Sequence, residues 1–183
     1  MTTAESKPAG VSSDGAPVRV RLLGSFDVDV GGRPVSGSAW RLRKASELVR
    51  ILALAPGHRL HRETLMEQLW PDRPLEAASN NLHQAIRAAR AAIGPTDDAG
   101  RRMLVLREGT VSLCPAGNLW VDAAAFTAAV REASRGVDDL DDLLAARELY
   151  RGEPLPDDRY ADWAVGFREN LAQDHLAVLA RIA

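Results

Sequence analysis

Apolar residues recur every three or four positions from Leu75 to Gly94, in LEAASNNLHQAIRAARAAIG. At about 100° per residue, Ala78, Leu82, Ile86, Ala89 and Ile93 share one side, so this spacing predicts a single amphipathic helix. Asn80, Gln84 and Arg87 fall opposite, with His83 and Arg90 on one flank. The helix is expected to enter at Glu76 to Ala77 and to stop at Gly94-Pro95. Glycine tolerates a left-handed cap and proline cannot continue a helix.

Upstream the period is two rather than three or four. Val18 to Val30, VRVRLLGSFDVDV, alternates, and its phase changes at Gly24, which marks a bulge or bend. Gly31-Gly32 is a hairpin signal, and Arg33-Pro34-Val35 begins the returning strand. A helix is then predicted from Ala39 to Ala55, capped by Ser38, with Leu42, Ala45, Leu48, Val49 and Leu52 inward. Arg41, Arg43, Lys44 and Arg50 lie off that stripe, where some can reach phosphates. A short helix follows from Arg62 to Trp70, turning Leu65, Met66, Leu69 and Trp70 inward, and Pro71-Asp72-Arg73-Pro74 breaks the chain. After the long helix, PTDDAG reads as a loop. Met103 to Leu106 and Val111 to Leu113 read as strands joined at Glu108-Gly109-Thr110, decorated by Arg101, Arg102 and Arg107.

Helical spacing returns in the last third. Val121 to Ser134 is a helix with Ala125, Phe126, Ala129 and Val130 inward, and Leu140 to Tyr150 is a second. Arg151 to Pro156 is a break. Asp162 to Ile182 is a long third helix bearing Trp163, Phe167, Leu171 and Val178. The fold class is therefore α+β, a winged helix-turn-helix followed by all-α helices.

Charge sharpens that division. The 183 residues carry a net charge of −2, but residues 1 to 117 hold +4 and residues 118 to 183 hold −6. A modestly basic first part and an acidic second part point to different partners. The first 17 residues, rich in Ser, Gly, Pro and Ala, have no apolar core and read as a disordered leader rather than a signal peptide. The single Cys114 excludes an internal disulfide framework, fits a reducing cytoplasm and reads as a small packed thiol.

The outward face of the long helix is the main candidate site. Surface helices are mostly Glu and Lys, whereas this face carries amides, an imidazole and arginines. Asn and Gln bond bidentately to adenine and Arg to guanine, which makes Asn80, Gln84 and Arg87 candidate base readers. His83 and Arg90 are candidate phosphate or base contacts. The order sheet, three helices, hairpin is that of a winged helix. In it one helix packs across the next and orients it toward the major groove. Arg101, Arg102 and Arg107 are then wing contacts to the backbone or the minor groove. A polar, solvated helix with no partner is the plain alternative reading of the same face.

Three stretches, LLGSFDVDVGGRPV, LALAPGHRLHRETLMEQLWPD and AASNNLHQAIRAARAAIG, resemble the OmpR-type DNA-binding domain of the SARP family (Streptomyces antibiotic regulatory proteins). The resemblance covers about residues 18 to 117; Leu69-Trp70-Pro71 followed by Asn80-Asn81-Leu82 is its most specific part. Many relatives carry Ser-Arg-Leu-Arg-Arg on the recognition helix, where this chain has Arg87-Ala88-Ala89-Arg90-Ala91 with fewer cations. Residues 118 to 183 resemble the start of the bacterial transcriptional activator domain, a bundle of tetratricopeptide-like helices. The resemblance implies a transcription regulator that binds direct repeats near promoters and recruits RNA polymerase; oligomeric state stays open, and an oligomer on direct-repeat DNA would need head-to-tail rather than two-fold contacts. It also implies a polymerase-contact loop at Pro71, Asp72, Arg73 and Pro74. Because helical repeats bury their faces on neighbours, three helices lead us to expect the N-terminal part of a longer protein.

Enzymatic signatures are missing from the sequence. There is no Gly-rich phosphate loop and no Gly-x-Ser-x-Gly elbow, and no cofactor is expected. His58 and His61 stand in a turn without cysteine or clustered carboxylates, so no metal site is expected. Asp138, Asp139, Asp141 and Asp142 read as a solvated helix start. Two other functions stay open at this point. One is a winged helix used as a protein-interaction scaffold; the other is the DNA-binding part of a larger ATPase-containing regulator.

Overall fold

The computed structural model describes residues 17–94, 96–134 and 140–183. The leader up to residue 16, Pro95, and Asp138 and Asp139 of the acidic cluster lie outside the described residues. Among the rest, the chain runs β1 (Val18–Arg21), β2 (Asp27–Val30), β3 (Arg33–Pro34), α1 (Arg43–Leu54), β4 (Arg59–His61), α2 (Arg62–Leu69) and α3 (Leu75–Ile93). It continues through α4 (Asp97–Met103), β5 (Leu104–Arg107), β6 (Thr110–Leu113), β7 (Leu119–Val121), α5 (Asp122–Ala133), α6 (Leu140–Leu149) and α7 (Asp162–Ile182). This is the α+β winged helix followed by helices that the periodicity predicts.

Two small sheets frame α1 to α3. The first has the order β3-β2-β1-β7, with β1 and β2 antiparallel and β1 and β7 parallel. Val18 and Val20 point into the core, as the alternation requires, and Gly24 takes φ +94 at the phase change. Gly31 and Gly32 both have positive φ, the backbone of a type I′ hairpin turn that matches the twist of paired strands. The second sheet has the order β4-β6-β5 and forms the wing. Its tip is also a turn with two positive φ values, at Glu108 and Gly109.

Several local expectations give way to packing. Helix α1 begins at Arg43, not at Ala39, because Ser36 accepts from Ser38 N and closes a short 3-10 turn over Gly37–Ala39. The extended residues that follow set Trp40 against Phe26, with ring centroids 5.3 Å apart. Leu42 consequently precedes the helix and is 42% exposed rather than inward. PTDDAG is not a loop: Thr96 Oγ1 accepts from Ala99 N and caps α4. Gly94 is extended rather than left-handed, with φ −91. Its value is space, since a Cβ there would stand 2.4 Å from Gly100 N, and one at Gly100 would stand 2.4 Å from Arg90 O. The two glycines let α4 fold back onto the end of α3.

Helix α3 matches its predicted wheel. Ala78, Leu82, Ile86, Ala89 and Ile93 are buried, and Ala85 joins them. They meet the buried stripe of α1, chiefly Leu48, Val49 and Leu52, in one apolar cluster. That cluster runs on past residue 117 to include Val121, Phe126, Leu155, Ala164 and Leu171. A smaller one, Ala133, Leu143, Ala146 and Val178, joins α5, α6 and α7.

The packing of α7 carries a pH signature. The His175 ring stacks on Tyr150, 3.8 Å between centroids and 4° from parallel, and its Nδ1 is buried without a hydrogen-bond partner among the described residues. Burial, and then the charge of Arg147, lower the imidazole below its ordinary value. The folded state therefore prefers neutral His175 while the unfolded state takes up the proton first. Stability is full above the ordinary imidazole value, about 6.5, and falls as pH drops through it toward the depressed folded value. Urea midpoints measured between neutral and mildly acid pH should show this decline. His175→Phe, which keeps the stack and removes the proton, should flatten it; an unchanged slope would discount the residue.

Candidate nucleic-acid interface

Helix α2 and its loop to α3 set the angle at which α3 is presented. Arg62, the first residue of α2, donates from its backbone N to Gly109 O at the wing tip (2.7 Å) and from Nη2 to Ser79 Oγ on α3 (2.6 Å). One residue thus ties the wing tip and the first turns of α3 together. Sequence reading did not single out Arg62, nor the strand β4 that leads into it. Three residues are too few to display a period of two.

The face of α3 away from the core carries Asn80, His83, Gln84 and Arg87, all exposed. Asn80, Gln84 and Arg87 step by four and three, so they line one ridge. His83, Arg87 and Arg90 form the adjoining ridge beside the wing. His83 is braced by Nδ1 on Ser79 O at 2.9 Å. Arg90 is half-buried and its Nε donates to Leu104 O at 2.8 Å, so it also fastens β5 to α3. Burial and the nearby charge of Arg101 lower the Arg90 guanidinium from the usual arginine value. It remains a cation, because no protein environment readily strips that proton.

Arg101 and Arg102 are on α4, not on the hairpin where the sequence placed them, because the chain after Gly94 folds into a helix. The shift brings Arg101 closer to the candidate site. With His83, Arg87, Arg90, Asp97 and Leu106 it lines a cleft of about 550 Å³ between α3, α4 and β5. Three guanidinium groups and one carboxylate around a cleft make a positive surface that suits an anion. Arg102 is exposed beside it on α4. Of the three hairpin arginines only Arg107 stands on the wing, exposed near the tip, with Nε 3.3 Å from Glu108 Oε1. Pro71 to Pro74 form an exposed turn between α2 and α3.

Arg50 does not reach the surface that its place on the α1 wheel predicts. It lies off the apolar stripe of α1 but is 3% exposed, and its partner is a carboxylate in the last third of the chain. It is out of reach of a phosphate. Cys114, also buried, has its thiol pushed up to about 12 by desolvation, which suits a packed residue rather than a nucleophile. Among the described residues no three His, Cys, Asp or Glu side chains are placed to hold a metal ion, and no helix is long and apolar enough to cross a membrane.

Comparison with known proteins gives this arrangement a context. Residues 40–109 match the family of the C-terminal domain of transcriptional regulatory proteins. No curated protein matches the chain. Among solved structures, Mycobacterium tuberculosis EmbR in complex with a low-affinity phosphopeptide superposes with a TM-score of 0.70 at 23% identity. The match covers 90% of this chain and 44% of that one, so the chain spans less than half the length of the structure it resembles. At that identity the likeness is one of fold. It extends beyond the winged helix into α5 to α7.

Proposed function

We propose that this chain, whose residues 40–109 carry a transcriptional regulatory protein domain, is a sequence-specific reader of double-stranded DNA. In this reading residues 18 to 117 are the DNA-binding part and residues 118 to 183 begin an activator domain of tetratricopeptide-like helices. The protein works in the cytoplasm, binds direct repeats at promoters as an oligomer, and recruits RNA polymerase through Pro71 to Pro74. The observation that carries the reading is the exposed ridge of amides and arginine on α3 beside a wing. Such a ridge fits a major groove about 12 Å wide, where Asn80 and Gln84 suit adenine and Arg87 suits guanine. His83, Arg90 and Arg101 border the cleft beside that ridge and suit the backbone phosphates, with Arg102 and Arg107 extending the cationic surface.

Arg87→Ala tests the placement. Affinity for the specific site should fall by about 1–3 kcal/mol and discrimination should relax at one base pair. Loss of a phosphate contact has another signature. Arg101→Ala should weaken binding to all sequences alike and reduce the salt slope by about one. If Arg87→Ala leaves specific affinity intact in a fluorescence titration, the reading face lies elsewhere on the fold.

A further inference from the structure

The segment after α6 reaches back across the molecule and closes on the first sheet and on α1. Leu23 and Pro154 form an antiparallel bridge, Leu155 N donates to Leu22 O at 2.8 Å, and Gly24 N donates to Glu153 O at 3.0 Å. Arg168 on α7 holds this segment through Nε to Pro154 O and Nη1 to Arg159 O. Two buried carboxylates complete the attachment. Asp122, the first residue of α5, accepts from Leu22 N (2.8 Å) and Leu23 N (3.1 Å). Asp158 accepts from Arg50 Nη2 at 3.0 Å, and its second oxygen lies 2.5 Å from Arg50 Nε. The Arg50 guanidinium also sits over the Phe26 ring, 4.6 Å from its centroid.

Resting on the DNA-reading function proposed above, we propose that Asp158 is a positioning residue for α3. Through Arg50 it fixes α1, against which α3 packs, so the helices after residue 117 orient the reading face without touching DNA. Apolar contacts resist separation but are nearly non-directional. One hydrogen bond from Nη2, a close ion contact at Nε and an aromatic face beneath the guanidinium add the direction they lack. The reading helix and α7 then move as one body.

The test uses the full chain with nitroxide labels at Ala91→Cys on α3 and Gln173→Cys on α7, both exposed positions. Cys114 is buried and stays unlabelled. Pulsed electron-spin measurements should give one narrow distance distribution. Asp158→Asn should give one about twice as wide while circular dichroism still shows native helix content. Arg50→Lys, which keeps the charge but loses the planar fork, serves where Asp158→Asn does not fold; it should also broaden the distribution. An unchanged narrow distribution in a folded variant would overturn the proposal. In unlabelled chains, the same variants should lose about tenfold in the ratio of specific to non-specific DNA affinity. Broadening without that loss would overturn the link to DNA. A parent chain that reads no DNA would instead refute the proposed function, while the distances still judge the attachment.

Discussion

Asp158→Ala is expected to be among the most damaging single substitutions in this chain, at about 3–5 kcal/mol of unfolding free energy. The cost follows from what remains. Arg50 is 3% exposed and cannot shed its proton, so truncating Asp158 leaves a buried cation whose remaining carboxylate is the exposed Asp157, 3.9 Å from Nη1. The reverse deletion differs in kind. Burial already raises the Asp158 carboxyl while Arg50 draws it back, so without Arg50 this group can take up a proton and become neutral. Set against a typical total of about 5–15 kcal/mol, the loss should be plain in urea unfolding. Arg50→Met with Asp158→Leu should recover much of it, since apolar residues of similar volume commonly replace buried ion pairs at little cost. A loss no larger than that of an exposed ion pair would mean that Asp157 or water takes the place of Asp158 beside Arg50.

Phe126→Ala comes next, again at about 3–5 kcal/mol. Phe126 is fully buried, and its ring lies 5.3 Å from Tyr150 and 6.4 Å from His175. It belongs to α5, yet it packs in the same apolar cluster as β1, α1 and α3. Deleting it should therefore lower the stability of the winged helix as well as of the helices that follow. A single unfolding transition that shifts as a whole is the expected result. Two transitions, with only one moved, would show that the cluster divides at the junction.

Much of this architecture is legible in the sequence because it is local. The wheel of α3 predicts every residue of its buried face but Ala85, and α7 begins at Asp162 and ends at Ile182 where its spacing predicts. Gly31-Gly32 and Gly109 announce their hairpins, because glycine readily takes the positive φ that such turns demand. What escapes is short or remote. β7 is three residues long and pairs with β1 from the far side of the winged helix, so no local period reveals it. The partner of Arg50 lies 108 residues away, and a helical wheel can only place that arginine off the apolar stripe. Helix α4 is a different case. Thr96 followed by two aspartates and closed by two arginines is a legible cap-and-dipole pattern. Gly100 obscures it, because glycine argues against a helix interior. Its reason is tertiary: Arg90 O leaves no room for a side chain.

The candidate interface was partly legible for the same reason. Asn80, His83, Gln84 and Arg87 follow from the wheel alone. The company of Arg101 with Arg87 and Arg90 depends on α4 and is visible only in three dimensions. The bracing of α3 by Arg62 is equally so, since it joins α2, α3 and the wing tip through one side chain and one backbone amide.

Whether this chain reads DNA sequence can be decided by fluorescence anisotropy. The full chain would be titrated against duplexes tiled from its own upstream region, at several salt concentrations and with scrambled competitor. Tight binding to one tile is expected, surviving competitor and falling steeply with salt, at a slope that counts the phosphates neutralised. Weak and equal binding to every tile would contradict sequence-specific reading.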